Sequence, residues 1–260
     1  MPESAIVKTA TAHTLWRSYR SRKLADQGAS RQQVLLSGAE ALARAYARQL
    51  TPETTHLFIT QSLLPYLWRD GHLGGRTFEV LMTRLPLYSL HETLDNALKR
   101  FPERTTLGDF RAPHWLIQAE QEALQSAQNW ITPHSDIAKI APEKTVRLEW
   151  AMPSPCATAP KGNLLLFLGP TVARKGAFEV REAIKRGGWE LVVLGRDLEG
   201  EGFWNGLPVE HRARSQNFWE GISCVVQPAL IEDKPRLLPI PSPKNRGFVT
   251  RKRAYGVPLK

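Results

Sequence analysis

The sequence predicts an α/β protein of two domains, and three observations carry that expectation. Short apolar runs alternate with stretches of helical periodicity, the pattern of parallel strands joined by helices. A stretch from Met152 to Gly162, MPSPCATAPKG, loses that periodicity and gathers prolines, as an interdomain linker does. Beyond it, two unbroken apolar runs flank one amphipathic segment, which defines a right-handed βαβ unit with parallel pairing. With 260 residues, 42% of them hydrophobic, the chain is long enough to bury a real core in one or two domains.

Residues 1–151 read as the first domain, and the start of the chain reads as helical. LSGAEALARAYARQL (Leu36 to Leu50) places Leu42, Ala45, Tyr46 and Gln49 at helical spacing, and Pro52 soon follows. HLFITQ (His56 to Gln61) is an apolar run bounded by polar residues, hence a strand. SLLPYLWRDGHLGGR carries a helix or an irregular segment and a turn at Gly74-Gly75. FEVLMTRLP (Phe78 to Pro86) reads as a strand stopped by Pro86. SLHETLDNALKRFP (Ser89 to Pro102) is a helix with Leu90, Leu94, Ala97 and Leu98 on one face, and HWLIQAEQEALQSAQ (His114 to Gln128) is a stronger one. NWITPHS (Asn129 to Ser135) reads as a short strand ending in a proline turn, and from VRLEW onward the periodicity is lost.

The second domain spans 163–233. LLLFLG (Leu164 to Gly169) and WELVVLG (Trp189 to Gly195) read as buried strands. Between them GAFEVREAIKRG (Gly176 to Gly187) is a helix closed by Gly187-Gly188, and ISCVVQPAL (Ile222 to Leu230) supplies a further strand ending at Pro228. Residues 234–260 form a tail without a single acidic residue, in which Lys234, Arg236, Lys244, Arg246, Arg251, Lys252, Arg253 and Lys260 are basic. Its prolines, Pro235, Pro239, Pro241, Pro243 and Pro258, predict irregular backbone.

The formal charge of +10 points to an anionic partner: nucleic acid, phosphorylated small molecules or acidic lipid headgroups. No window is long and apolar enough for a membrane span, and the start, MPESAIVKTATAHTLWRSYRSRKL, lacks a secretory leader's apolar core. Cys156 and Cys224 stand apart without metal-ligand spacing, which reads as two reduced thiols in a cytoplasmic protein.

In an open parallel sheet, ligands sit at the carboxyl ends of strands, where helix N-termini present free N–H groups. GPTVARKGA (Gly169 to Ala177) lies at such an end. Gly169 and Gly176 let the backbone approach a ligand, and Arg174 and Lys175 add two positive charges beside the helix start. A diphosphate would gain charge-assisted hydrogen bonds there, about 1.5–3 kcal/mol each. The bland alternative is a basic surface loop. The motif is not a P-loop, because Lys175 is followed by Gly176 rather than Ser or Thr, and it lacks the three spaced glycines of a dinucleotide fingerprint.

The run LLLFLGPTVARKGAFEVREAI…WELVVLG resembles the opening of the nucleotide-sugar-binding domain of GT-B glycosyltransferases, especially the large retaining group. The resemblance implies two Rossmann-like domains, a nucleotide-diphosphate sugar as donor, and catalysis without a bound metal. It implies that Lys175 holds the donor diphosphate. Pro170 stands where the family has an arginine, and Arg174 is the candidate to replace it. In the first half, EQEALQSAQNWITPHSDIA resembles the later part of the family's acceptor domain, through Glu120, Ala123 and Leu124, then Ile131, Thr132, Pro133 and Ser135, with His134 interrupting. By the same resemblance Glu232, in IEDKPRLL, contacts the sugar, and His91 is the acceptor-domain histidine. The next glutamate of the pattern falls on Ile240, inside PIPSPKNRG, so the second domain is expected to be incomplete, through divergence, truncation or a shifted reading frame.

The implied activity is sugar transfer to an unknown sugar or lipid-linked acceptor, in cell-surface polysaccharide or glycolipid synthesis, by a cytoplasmic, bacterial-type enzyme in peripheral contact with anionic membrane. Two alternatives stand beside it. One is a non-catalytic relic of the same fold with weak nucleotide binding. The other is a binder of nucleic acid or acidic membrane through the tail, where only Phe248 and Tyr255 accompany the cations, a thin complement for stacking bases. His134 could serve a site or cap a helix, and His114-Trp115, Trp204 and Trp219 read as packing anchors rather than sugar platforms.

Overall fold

The computed structural model describes residues 10–23, 28–149, 162–213 and 218–231. The chain separates into two units: Met1–Tyr88 with Phe110–Leu148, and Ser89–Asp109 with Glu149–Lys260. Sequence patterning expects 1–151 to be one continuous domain. Instead the segment Ser89–Asp109 clusters with the second unit.

The first unit carries helices α1 (Thr11–Lys23) and α2 (Gly28–Ala47), then strand β1 (His56–Thr60), helix α3 (Leu64–Arg69), strand β2 (Thr77–Leu81) and the start of helix α4 (Leu87–Arg100). It resumes with α5 (His114–Ser126), β3 (Trp130–Thr132), α6 (Ser135–Ala138) and β4 (Thr145–Arg147). The strands run in the order β1-β2-β3-β4, all parallel. Helix α5 explains its own burial. Leu116, Ala119, Glu120, Ala123 and Leu124 recur at three- and four-residue spacing and form its buried stripe.

In α2 the buried line is Val34, Ala39, Ala43 and Ala47, while Leu42, Ala45 and Tyr46 are half-buried. Small alanines, rather than the larger residues the periodicity favours, therefore face the core of this unit. Tyr66 on α3 donates its hydroxyl to the Leu36 carbonyl at 2.9 Å.

Two further expectations need correcting. The strand expected to run to Pro86 ends at Leu81, because the Gln61 side-chain oxygen accepts the Thr83 and Arg84 N–H groups, both at 3.2 Å, and withdraws them from the ladder. The stretch from VRLEW, where loss of periodicity marks the approach to a linker, begins inside β4, whose Trp130↔Thr145 to Thr132↔Arg147 pairing sits at the sheet edge. Its three residues are too few to show a period of two.

A buried polar cluster closes the carboxyl ends of this sheet. Gln61, Glu120 and Thr132 are essentially inaccessible. Glu120 accepts from Arg84 at 2.6 Å, from the Leu87 N–H at 2.5 Å and from Gln61 Nε2 at 3.4 Å. Thr132 donates to the Met82 carbonyl at 3.0 Å and accepts from the His134 N–H at 3.2 Å. Each of these buried groups has a partner, the condition under which such burial is tolerable.

The second unit is built on β5 (Leu164–Leu168), helix α7 (Ala177–Gly187), β6 (Leu191–Leu194), β7 (Val209–His211) and β8 (Ile222–Val226), in the order β7-β6-β5-β8, all parallel. Alternate side chains supply the two faces. Phe167, Leu191 and Val193 pack with Ala177, Val180 and Ile184 of α7 and with Trp204, while Leu166, Val192 and Leu194 pack with Ile222 and Val225 on the other face. Burial on both faces is why β5 and β6 read as continuous apolar runs. The α4 segment adds a third cluster, in which Leu94 and Leu107 are buried with Ala173 and Ile231, and Leu90, Ala97, Leu98 and Phe101 pack around them. The face expected of this helix is the face it uses, on the second unit.

Candidate functional site

After β5 the chain proceeds to β6 and β7 on one side, then returns to place β8 on the other. The order therefore reverses at β5. A crevice opens at such a switch point, outside the carboxyl ends of the two diverging strands, here β5 and β8. The segment Gly169–Gly176 leaves β5 at this end, and Gln227–Ile231 leaves β8. The two segments touch: the Leu230 N–H donates to the Arg174 carbonyl at 2.9 Å.

Glycine is required at two places here. Gly176 has φ +83, and a β-carbon on it would lie 2.4 Å from the Pro228 carbonyl oxygen. At Gly195 a β-carbon would lie 2.2 Å from the Gly169 carbonyl oxygen. The loops after β5 and β6 can thus run side by side, with the Gly169 N–H on the Leu194 carbonyl at 3.0 Å and the Thr171 N–H on the Arg196 carbonyl at 2.9 Å.

Side chains lock this turn from below. The buried Thr171 donates its hydroxyl to Asp197 at 2.6 Å, and the Trp204 indole N–H reaches both Thr171 Oγ1, at 3.1 Å, and Asp197 Oδ1, at 3.0 Å. His211 Nε2 lies 3.5 Å from the other Asp197 oxygen. The Ala173 N–H is shared between Thr106 Oγ1 at 3.0 Å and Glu199 Oε1 at 2.5 Å, and Thr106 donates to that same Glu199 oxygen. Burial pushes the Glu199 carboxyl above the ordinary glutamate range, with Asp109 adding to the rise, against the opposing pull of Thr106, the Ala173 N–H and Arg104.

On this support sits the 3-10 turn Ala173–Lys175, followed by Gly176 in the left-handed region and the first turn of α7. Arg174 and Lys175 are both half-buried. Arg104, from the α4 segment, stacks its guanidinium on Phe101 at 3.9 Å and Phe178 at 4.6 Å, and pairs with Glu179 at 2.6 Å. That acid lies in the first turn of α7, where a negative charge is favourable.

The expected site residues are thus distributed unevenly. Gly169, Arg174, Lys175 and Gly176 come together at the switch point. His91 lies on α4, half-buried, in the second unit. Glu232, the linker, Cys156 and the basic tail lie outside the described residues. Cys224 is half-buried on β8, with its thiol 3.6 Å from the Val225 carbonyl oxygen. Trp204 is a core anchor, while Trp115 is 40% exposed under the Arg69 guanidinium, so packing does not account for its whole surface. Asp197, Glu199, Thr106 and Arg104 escape the sequence reading. An acid two residues after the strand-ending Gly195 is a signal that could have marked Asp197, but nothing local marks Thr106. Among the described residues no group of His, Cys, Asp and Glu side chains is arranged to hold a metal ion.

The fold and this turn define the second unit as a Rossmann-like half-sheet with its switch point at a cationic loop. No protein-family model matches the chain, and no curated protein matches it in sequence. Solved structures are similar over part of their length. S. aureus TarM, in complex with UDP among other ligands, aligns with 75% of this chain and 41% of its own, at 11% identity and TM-score 0.49. Arabidopsis thaliana UGT89C1 complexed with UDP aligns with 75% of this chain and 54% of its own, at 9% identity and TM-score 0.38. CalG4, the calicheamicin glycosyltransferase, aligns with 86% of this chain and 59% of its own, at 12% identity and TM-score 0.33. The chain spans about two fifths of the length of TarM, covering 41% of it.

Proposed function

We propose that the second unit receives the diphosphate of a nucleotide sugar and that the chain descends from, or acts as, a GT-B glycosyltransferase. One observation carries the reading: Arg174, Lys175 and the α7 N-terminus meet where the strand order reverses. In glycosyl transfer the bond from the anomeric carbon to the diphosphate oxygen breaks, and a bond to an acceptor oxygen forms. Negative charge grows on the departing diphosphate, and fixed cations and N–H donors stabilise it there. Arg174 and Lys175 supply the cations in this reading, and Gly176 permits close approach. Glu232 on the sugar and His91 toward the acceptor complete the proposal, with an acceptor that is a sugar or a lipid-linked sugar.

A second reading is favoured by a specific feature. The Ala173 N–H already serves Glu199 and Thr106, and Pro170 occupies the place of a diphosphate-binding arginine. A site so reduced would bind nucleotide weakly and transfer nothing.

Calorimetric titration with UDP and GDP, beside assays of nucleotide release from UDP- and GDP-sugars, separates the readings. Saturable binding that drops at least about tenfold in Arg174→Ala and in Lys175→Ala supports the diphosphate site, since each lost charge-assisted bond is worth about 1.5–3 kcal/mol. Release of nucleotide supports catalysis, and binding without release supports the non-catalytic form. Absence of binding to either nucleotide at millimolar concentration rejects both.

A further inference from the structure

Helix α1 has a surface that neither function above uses. Leu15, Trp16 and Tyr19 are 65%, 61% and 60% exposed, and the rings of Trp16 and Tyr19 stack with centroids 6.2 Å apart. At about 100° per residue, Ala12, Leu15, Trp16 and Tyr19 fall on one side of the helix. Positions Arg20 and Arg22 lie on either flank of that strip, and Lys23 closes its carboxyl end. The helix also holds Arg17 and has no acidic residue.

We propose that α1 is a docking helix for an anionic phospholipid surface. An apolar strip with Trp and Tyr in it, bordered by cations, suits the boundary between acyl chains and headgroups: the rings sit at headgroup depth and the flanking arginines meet lipid phosphates. The charge pattern selects this occupant. A second copy of the helix would set arginines against arginines with no acid to offset them. A single-stranded nucleic acid would use the cations and rings but has no role for Leu15. Three apolar side chains on a helix of 13 residues give reversible adsorption, and among the described residues no helix is long and apolar enough to cross a bilayer.

The test is flotation of the full chain with vesicles of equimolar phosphatidylcholine and phosphatidylglycerol, beside vesicles of phosphatidylcholine alone. Because Leu15, Trp16 and Tyr19 are exposed, the variant L15S/W16S/Y19S should keep the far-ultraviolet circular dichroism of the parent. The parent is expected to float with the anionic vesicles only, and both L15S/W16S/Y19S and R20Q/R22Q/K23Q should lower the bound fraction at least about tenfold. Emission of the parent should shift to the blue on binding, and that of Trp16→Phe should shift less. The proposal is overturned if the parent does not float, if it floats equally with neutral vesicles, or if the α1 variants float as well as the parent while R251Q/K252Q/R253Q does not. It is also overturned if vesicles fail while a single-stranded oligonucleotide binds through these same residues.

Discussion

Gly176 and Gly195 hold the candidate site open to its own backbone, and each does so by lacking a single carbon. Alanine at Gly176 would be forced into the left-handed region, a cost of about 1–2 kcal/mol, and would also press on the Pro228 carbonyl. Gly176→Ala is therefore expected to lower the stability of the second unit by at least about 2 kcal/mol in urea, and an unchanged midpoint would remove the claim. Glu199 gives a pH prediction. Its folded-state pKa is raised, chiefly by burial, so between the ordinary glutamate value and that raised value the folded chain holds a proton that the unfolded chain has released. Stability from this group is thus fullest at low pH and falls as pH rises through that window, levelling off above it. Glu199→Gln still offers an oxygen to Ala173 and Thr106, and its stability profile should lose that fall. A profile as steep as the parent's would assign the effect elsewhere. In the first unit, Arg84→Leu leaves the Glu120 carboxylate buried with one fewer partner, for an expected loss of about 2–4 kcal/mol. The double variant R84L/E120L should recover a substantial part of it, which denaturant titration of the cycle measures.

At the level of elements, the segment Ser89–Asp109 has the most consequence. Its leucines cover Ala173 and Ile231, and its Thr106 and Arg104 reach Ala173 and Glu179, so the turn that carries Arg174 and Lys175 rests on a piece of chain from the other side of the linker. Leu94→Ala should cost about 2–5 kcal/mol through the cavity it leaves, and it should also weaken any UDP binding, although Leu94 lies in the core and not at the turn. Loss of stability with unaltered nucleotide affinity would show that the α4 segment supports the core but not the turn. The helix itself was legible: Leu90, Leu94, Ala97 and Leu98 recur at helical spacing. Its destination was not, because periodicity gives a helix a face without naming the surface that covers it. β4 and β7 were illegible for another reason. Each is a three-residue edge strand with two exposed residues, so unlike the equally short but buried β3 it carries no apolar run of its own.

Among the described residues the buried side chains around α5 and the first sheet fall in one compact unit and those around β5 and β6 in the other, so a single all-or-none unfolding step is not the expectation. In scanning calorimetry, Arg84→Leu should move one part of the heat absorption and Phe167→Ala the other, the latter by about 3–5 kcal/mol for a fully buried ring. If both variants shift one indivisible transition alike, the two units unfold together and this expectation fails. The net charge of +10 acts at this scale too, attracting anions to the molecule in a way salt should weaken.

The sequence by itself determined the α/β class, the βαβ unit of the second half and the cationic turn between its strands, because those features depend on neighbours within a few residues. Tertiary structure alone decided which strands flank β5, and so where the order reverses. It also decided that Thr171, Asp197, Glu199 and Trp204 would lock the turn, and that residues from before the linker would support it. Those outcomes rest on hydrogen bonds and burial between residues far apart in the chain, which no local pattern of hydrophobicity or charge encodes.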